Sequence, residues 1–363
     1  MNCRQIFNHK FYMTILSWRK IGLLAAGILL TGQSCQINIG TVTNLDGGIY
    51  RSDNHGLSWV QKAFVGQVKK RTVAINDVSG RMLVFDPQNS DTLYLGTLQN
   101  GIWKTTNRGD QWTATSIKAG DYQCLAFDPL NSQLLYTDAN NVVLKSVDGG
   151  KNWGVIYTEA EPGQVLNCVI VDPLAGRNIW AVTNAGKVIF SSDYGQTWTR
   201  ISTAPTFLPR KIYMPSDGSG RIYIFTRNNG ILFSADRGYS WQNISAALNK
   251  FSGGSDIRSV DISGQTWYLG TAFGILRSDN FGAAWTSINT LVNPNSIAIQ
   301  NIAVNPRNQL DIFATTGQRL HHSTDGGKTW SISNLPTSRV PVLMTFDPAN
   351  SNRLYLATFK VKK

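Results

Sequence analysis

Asp121 and Glu161 are the two positions at which this sequence could carry acid–base chemistry. Each stands in a segment that leads into an apolar strand of a neighbouring repeat. Two carboxylates facing one another across a sugar are what glycosidic bond cleavage needs. Asp77, Glu159 and Asp256 occupy comparable segments. Most other carboxylates have structural roles. Asp86, Asp128, Asp172 and Asp347 form Asp-Pro turns, while Asp53, Asp110, Asp148, Asp193, Asp236, Asp279 and Asp325 fall inside a repeated turn motif. Solvated loop groups are the plainer account of the few that remain, so no catalytic residue is assigned.

Other chemistries find little support. The sequence has no Gly-x-Ser-x-Gly elbow, no Cys–His pairing and no Gly-rich phosphate loop between a strand and a helix. Three histidines follow residue 35: His55 inside the turn motif, and His321 with His322, adjacent in a strand and therefore pointing to opposite faces. No metal site and no cofactor are expected. Cys124 and Cys168 hold equivalent places in neighbouring repeats. Such places are expected to lie beyond the ~7 Å Cα separation that a disulfide allows, which leaves buried thiols.

A basic face is the better candidate. The chain has 34 basic and 22 acidic residues, a net charge of +12. Setting aside Arg4, Lys10, Arg19 and Lys20 near the N-terminus leaves 30 against 22, or +8. Lys69, Lys70, Arg71, Arg81, Lys118, Arg210, Lys211, Arg258 and Arg339 all lie in, or at the exit of, one class of connection. Gathered on one face, their fields add, and a protein or anionic ligand is the expected partner. There is no long basic run and no nucleic-acid motif, so nucleic acid is not expected.

The elements that must position these residues are read from an internal repeat. Ser/Thr-x-Asp/Asn-x-Gly-x-x-Trp occurs seven times, ending at Trp59, Trp112, Trp153, Trp198, Trp241, Trp285 and Trp330, at spacings of 53, 41, 45, 43, 44 and 45 residues. Its Asp/Asn position is Asn54, Asn107, Asp148, Asp193, Asp236, Asn280 and Asp325. The hydroxyl and the Asp/Asn oxygen can accept backbone N–H groups within a hairpin turn. Glycine supplies a positive φ, and the indole packs on a neighbouring sheet. Upstream of each box stand three short strands punctuated by turns, as in Met82-Leu-Val-Phe-Asp-Pro87, Thr92-Leu-Tyr-Leu-Gly-Thr97 and Gly101-Ile-Trp-Lys-Thr105. A fourth strand starts at the tryptophan. Residues 48–64 supply only the later half of a unit and Val340 to Phe359 only the earlier half.

The boxes and their spacing resemble the Asp-box (bacterial neuraminidase repeat) family of propellers, from about residue 45 onward. The expected fold is all-β: a seven-bladed β-propeller of four-stranded antiparallel blades over 45–363, closed by a composite N-/C-terminal blade. Related repeats occur in sialidases, xyloglucan-cleaving glycosidases, sortilin-type receptor ectodomains and the photosystem II assembly factor. The sialidase arginine triad and Tyr/Glu pair cannot be located here by motif, and the xyloglucan enzymes join two such propellers around a cleft. The resemblance therefore leaves two roles open. The first is a non-enzymatic binding or assembly scaffold; the other is a carbohydrate-active protein, either a hydrolase or a glycan-binding propeller. A monomer is expected.

Residues 1–34 read as an export signal, with Arg19 and Lys20 ahead of an apolar run from Ile21 to Leu30. The run is short for a membrane span, which needs about 20 residues. Residues 35–44 form a linker. Cys35 is a lipidation candidate, although Gly32 stands where a lipoprotein signal usually has an aliphatic residue. Lipid anchoring, plain secretion and an uncleaved anchor all remain open, and each places the protein outside the cytoplasm.

Overall fold

In a stacked β architecture, the burial of a strand reports its rank. A computed structural model describes residues 46–68, 71–205, 209–289 and 295–360. Ile179–Thr183, Ile222–Thr226 and Thr266–Thr271 are buried along their whole length, as unbroken apolar runs covered on both faces should be. Ser331–Asn334 and Thr113–Ala114 are exposed throughout. The first kind are second strands and the last are outer edges.

Six sheets are continuous in sequence and pair in simple order from the innermost strand outward. Blade 1 runs from Gly80–Asp86 to Thr113–Ala114, blade 2 from Leu125–Asp128 to Gly154–Thr158, and blade 3 from Leu166–Val171 to Thr199–Thr203. Blade 4 runs from Pro209–Tyr213 to Gln242–Asn243, blade 5 from Ile257–Ser263 to Thr286–Ile288, and blade 6 from Asn301–Asn305 to Ser331–Asn334. The seventh orders Val340–Phe346, Leu354–Phe359, Ile49–Ser52 and Val60–Gln61. Ile49 pairs with Ala357 and Ser52 with Leu354, both antiparallel. The composite blade is therefore as expected, and the two half-units share one sheet without open edges between them. Among the described residues the only helix is a 3₁₀ turn, Ser245–Leu248.

Seven apolar clusters fill the seven seams. Trp112 joins Ile49 and Tyr355 between blades 7 and 1; Trp153 serves blades 1 and 2, and Trp198 blades 2 and 3. Trp241, Trp285, Trp330 and Trp59 follow in the next four seams. Each box indole thus packs against the preceding blade. Only Trp112 and Trp285 are fully buried, so the wedge is shared with second-strand residues such as Trp180 and Trp267.

The boxes form the bonds their residue types imply. Ser52 Oγ accepts the Gly56 N–H at 2.8 Å, and Asn54 Oδ1 accepts the Ser58 N–H at 2.9 Å. The pattern recurs at Thr105 and Asn107, Ser146 and Asp148, and Ser191 and Asp193. It recurs again at Ser234 and Asp236, Ser278 and Asn280, and Ser323 and Asp325. Hydrogen bonds to neighbouring amides and side chains hold the Asp148 carboxyl down to about 2.

Two expectations need correction. Cys124 and Cys168 are disulfide-bonded, with Cα atoms 5.3 Å apart. Blades converge toward the axis, so equivalent places on adjacent innermost strands come close enough to bridge. The connection from blade 7 to blade 1, one of those expected to gather on a common basic face, also behaves differently. It forms a hairpin, Phe64–Val68 with Arg71–Ala74. Phe64 O accepts the Trp112 N–H at 2.8 Å and Val65 O accepts Gln111 Nε2 at 3.0 Å. Its base is docked on the box turn of blade 1, away from the end at which connections reach the innermost strands.

Two outcomes follow. Replacing Cys124 and Cys168 with serine should lower stability by about 2–4 kcal/mol in denaturant melts, and an unchanged midpoint would show that the bridge contributes nothing. Deleting the chain from Val340 onward should abolish the cooperative unfolding transition; unchanged melting would refute closure.

Candidate functional site

Seven innermost strands surround a channel of about 610 Å³. Bulges decide which side chains enter it. Register shifts fall between Gly80 and Met82, Leu166 and Cys168, Pro209 and Lys211, Ile257 and Ser259, and Pro341 and Leu343. The residues skipped are Arg81, Asn167, Arg210, Arg258 and Val342. An extra residue breaks the in–out alternation and re-aims a side chain. Arg81, Arg210 and Arg258, together with Lys211, line the channel.

These cations do not have equal freedom. Arg81 pairs with Asp121 at 3.2 Å, and Arg258 with Asp256 at 3.0 Å. No ion pair holds Arg210 among the described residues. It meets channel solvent yet is enclosed on several sides by the chain. That desolvation, then repulsion from Arg227, Arg81 and Arg258, brings its pKa below the ordinary guanidinium value despite Asp256. An incoming anion would offset this repulsion. Lys211 faces Asp261, whose carboxyl is raised by burial while Lys211 opposes the rise.

The other candidates are dispersed. Lys118 is exposed. Arg339 is largely buried and bonded to Asp77 at 2.8 Å, so it ties blade 7 to the first connection instead of facing solvent. Lys69 and Lys70 lie outside the described residues, as do Cys35 and the side chain of Arg71; the Arg71 backbone belongs to the docked hairpin. Arg227 stands outside the class of connection that leads into innermost strands. It lies between the second and third strands of blade 4, and antiparallel order brings that loop out at the same end of the blade.

The two carboxylates proposed for hydrolysis serve separate cations. Asp121 holds Arg81, whereas Glu161 holds Lys187 at 2.8 Å. Lys187 also pairs with Glu159 at 2.9 Å. Glu159 is buried and accepts the Tyr157 hydroxyl, so a solvated loop does not describe it.

A carboxylate with more unusual properties went unnoticed. Asp138, near the end of the second strand of blade 2, is buried, and its Oδ1 has no hydrogen-bond partner among the described residues. Burial pushes its pKa up to about 7, with a further rise from Asp121. Gly96, Val182 and Gly270 occupy the matching register in other blades, and nothing in the repeat marks the substitution.

His321 is buried against Thr316, and His322 faces the other way, as expected. Ring closure, however, brings His55 to the same carboxylate as His322. His55 Nε2 and His322 Nε2 each stand 2.9 Å from an oxygen of Asp311. The sequence pairs His322 with His321, whereas the fold sets it beside His55.

Fold and channel together define the class: a single seven-bladed β-propeller with an arginine-bearing channel. No established family model matches the sequence. The chain is 25% identical over 338 residues to a xyloglucanase from Paenibacillus sp, covering 78% of this chain and 29% of that protein. It is 24% identical over 268 residues to the oligoxyloglucan-reducing end-specific xyloglucanase of Emericella nidulans, covering 61% of this chain and 31% of that one. It thus spans under a third of these relatives. Among solved structures, the GH74 xyloglucanase from Xanthomonas campestris is similar with a TM-score of 0.59 at 19% identity, covering 83% of this chain and 52% of that one. YCF48 bound to D1 peptide is similar with a TM-score of 0.59 at 15% identity, covering 79% and 94%. These structural likenesses bear on the fold.

Asp138 yields a pH test. Its folded pKa exceeds the ordinary carboxyl value of 3.8, so folding takes up a proton between those limits and stability falls as pH rises from about 4 to 7. Asp138→Asn should remove that loss, gaining on the wild type between pH 5 and pH 8 in urea melts. A constant difference between the two proteins would show that Asp138 ionises as freely when folded as when unfolded.

Proposed function

We propose that this protein is an exported, non-enzymatic binding or assembly scaffold whose channel mouth takes an acidic segment of a protein partner. Bulge placement of Arg81, Arg210 and Arg258 carries this reading. Converging cations, one of them with no ion pair among the described residues, form an anion receptor built on rigid strands. The similarity to YCF48 bound to D1 peptide supports a propeller of this size engaging peptide. Export rests on the basic and apolar pattern of residues 1–34, with Cys35 as the candidate anchor.

A glycan-directed reading is kept because the sequence matches are to xyloglucanases. It would place Asp121 and Glu161 at the chemistry, yet each is occupied with a different cation.

A labelled oligoglutamate peptide separates the two. Wild type should bind it, more weakly as salt is raised, and Arg210→Glu/Arg258→Glu should lose most of the binding. Equal binding by both proteins, or none by wild type, would defeat the scaffold reading. Sugar release from xyloglucan that disappears in Asp121→Asn or Glu161→Gln would replace it with the hydrolase.

A further inference from the structure

The seam between blades 6 and 7 brings two imidazoles to the two oxygens of one buried carboxylate. His55 Nδ1 lies 3.1 Å from Ser351 O. A carbonyl can only accept, so that nitrogen carries the proton. Nε2 of the same ring points at Asp311 Oδ2 from 2.9 Å. Asp311 is nearly inaccessible, and its second oxygen lies 2.9 Å from His322 Nε2. Either a proton or a metal cation can stand between Nε2 and the carboxylate.

The geometry suits a metal ion. One ligand atom from each of His55, Asp311 and His322 lies within 4.8 Å of the other two. The imidazole centroids are 5.2 Å apart and inclined at 64°. Two rings bound through nitrogen at about 2.0–2.1 Å, at a tetrahedral angle, would place their centroids roughly 5 Å apart. Outer partners are in position as well. Ser351 O fixes the His55 tautomer, Asn305 Nδ2 donates to Asp311 Oδ2 at 2.7 Å, and the His322 ring stacks on Phe313 at 4.0 Å. Such groups orient metal ligands, and the Ser351 carbonyl, by accepting from Nδ1, raises the basicity of His55. His55 and His322 keep partial exposure, which leaves room for water in the remaining positions.

We propose that His55, Asp311 and His322 bind a divalent transition-metal ion of the Zn²⁺ class. Imidazole and carboxylate together select borderline metals over Ca²⁺ or Mg²⁺. His55 comes from the N-terminal half of the composite blade, while Asp311 and His322 belong to blade 6. The ion would therefore fasten the closing blade to its neighbour. This site is separate from the channel and does not depend on the proposed docking role.

The test uses full-length protein stripped with a chelator and titrated with Zn²⁺ and Co²⁺. Wild type should bind one ion per chain, melt at higher temperature with Zn²⁺, and give the visible absorption of low-coordinate Co²⁺. Asn305→Ala should weaken binding about 10–100-fold, and His55→Ala or His322→Ala by more. His321→Gln, on the opposite face, should bind as wild type does. Absence of stoichiometric binding by wild type overturns the proposal without needing any variant. Binding that survives both His55→Ala and His322→Ala overturns it too.

Discussion

Ile49–Ser52 pairs with Leu354–Phe359 across almost the whole length of the chain, and that pairing fixes every other seam. A propeller blade is covered on each face by the next one, so a missing neighbour would expose second strands such as Ile222–Thr226 that are apolar throughout. Thr358 donates its N–H to Gly48 O, and Arg353 reaches both Asp53 and Asp347. The closing contact is thus made by backbone, by packed side chains and by charge. Its loop-closure entropy is offset only because seven clusters complete a ring together.

The boxes work across seams as well as within turns. Their fourth position adopts positive φ in His55, Arg108, Tyr194, Arg237 and Phe281, a conformation that side-chain-bearing residues usually avoid. The turn imposes it, and several of these side chains reach back to the preceding blade. Arg237 approaches Asp172, the Tyr194 ring lies under Lys145, and Phe281 lies by Tyr223 and Arg221. His55 belongs to this series, and in its seam the facing residues are Asp311 and His322. A turn position common to the blades thus carries, in one of them, a side chain of a metal-ligating type.

Blade number, strand order, the composite blade and the hydrogen-bonding role of each box residue were all legible, because each follows from local turn chemistry repeated at a fixed period. The channel arginines were legible as a basic class but not as a ring. Bulges at Arg81, Arg210 and Arg258 depend on pairing that the sequence does not display. Cys124 and Cys168 were misjudged because repeat equivalence carries no radial distance, and distance shrinks toward the axis. Asp138 hides in a strand as one atypical residue. His55 and His322 are far apart in sequence, and only closure makes them neighbours.

Native-state hydrogen exchange at the closing strands tests the central claim most directly. If the ring is one cooperative unit, the paired amides of Ile49–Ser52 and Leu354–Phe359 should exchange only through global unfolding, with the same free energy and denaturant dependence as those of Ile222–Thr226 in blade 4. Exchange of the closing strands through a much smaller opening, with blade 4 still protected, would mean that the termini merely lie against a ring that stands without them.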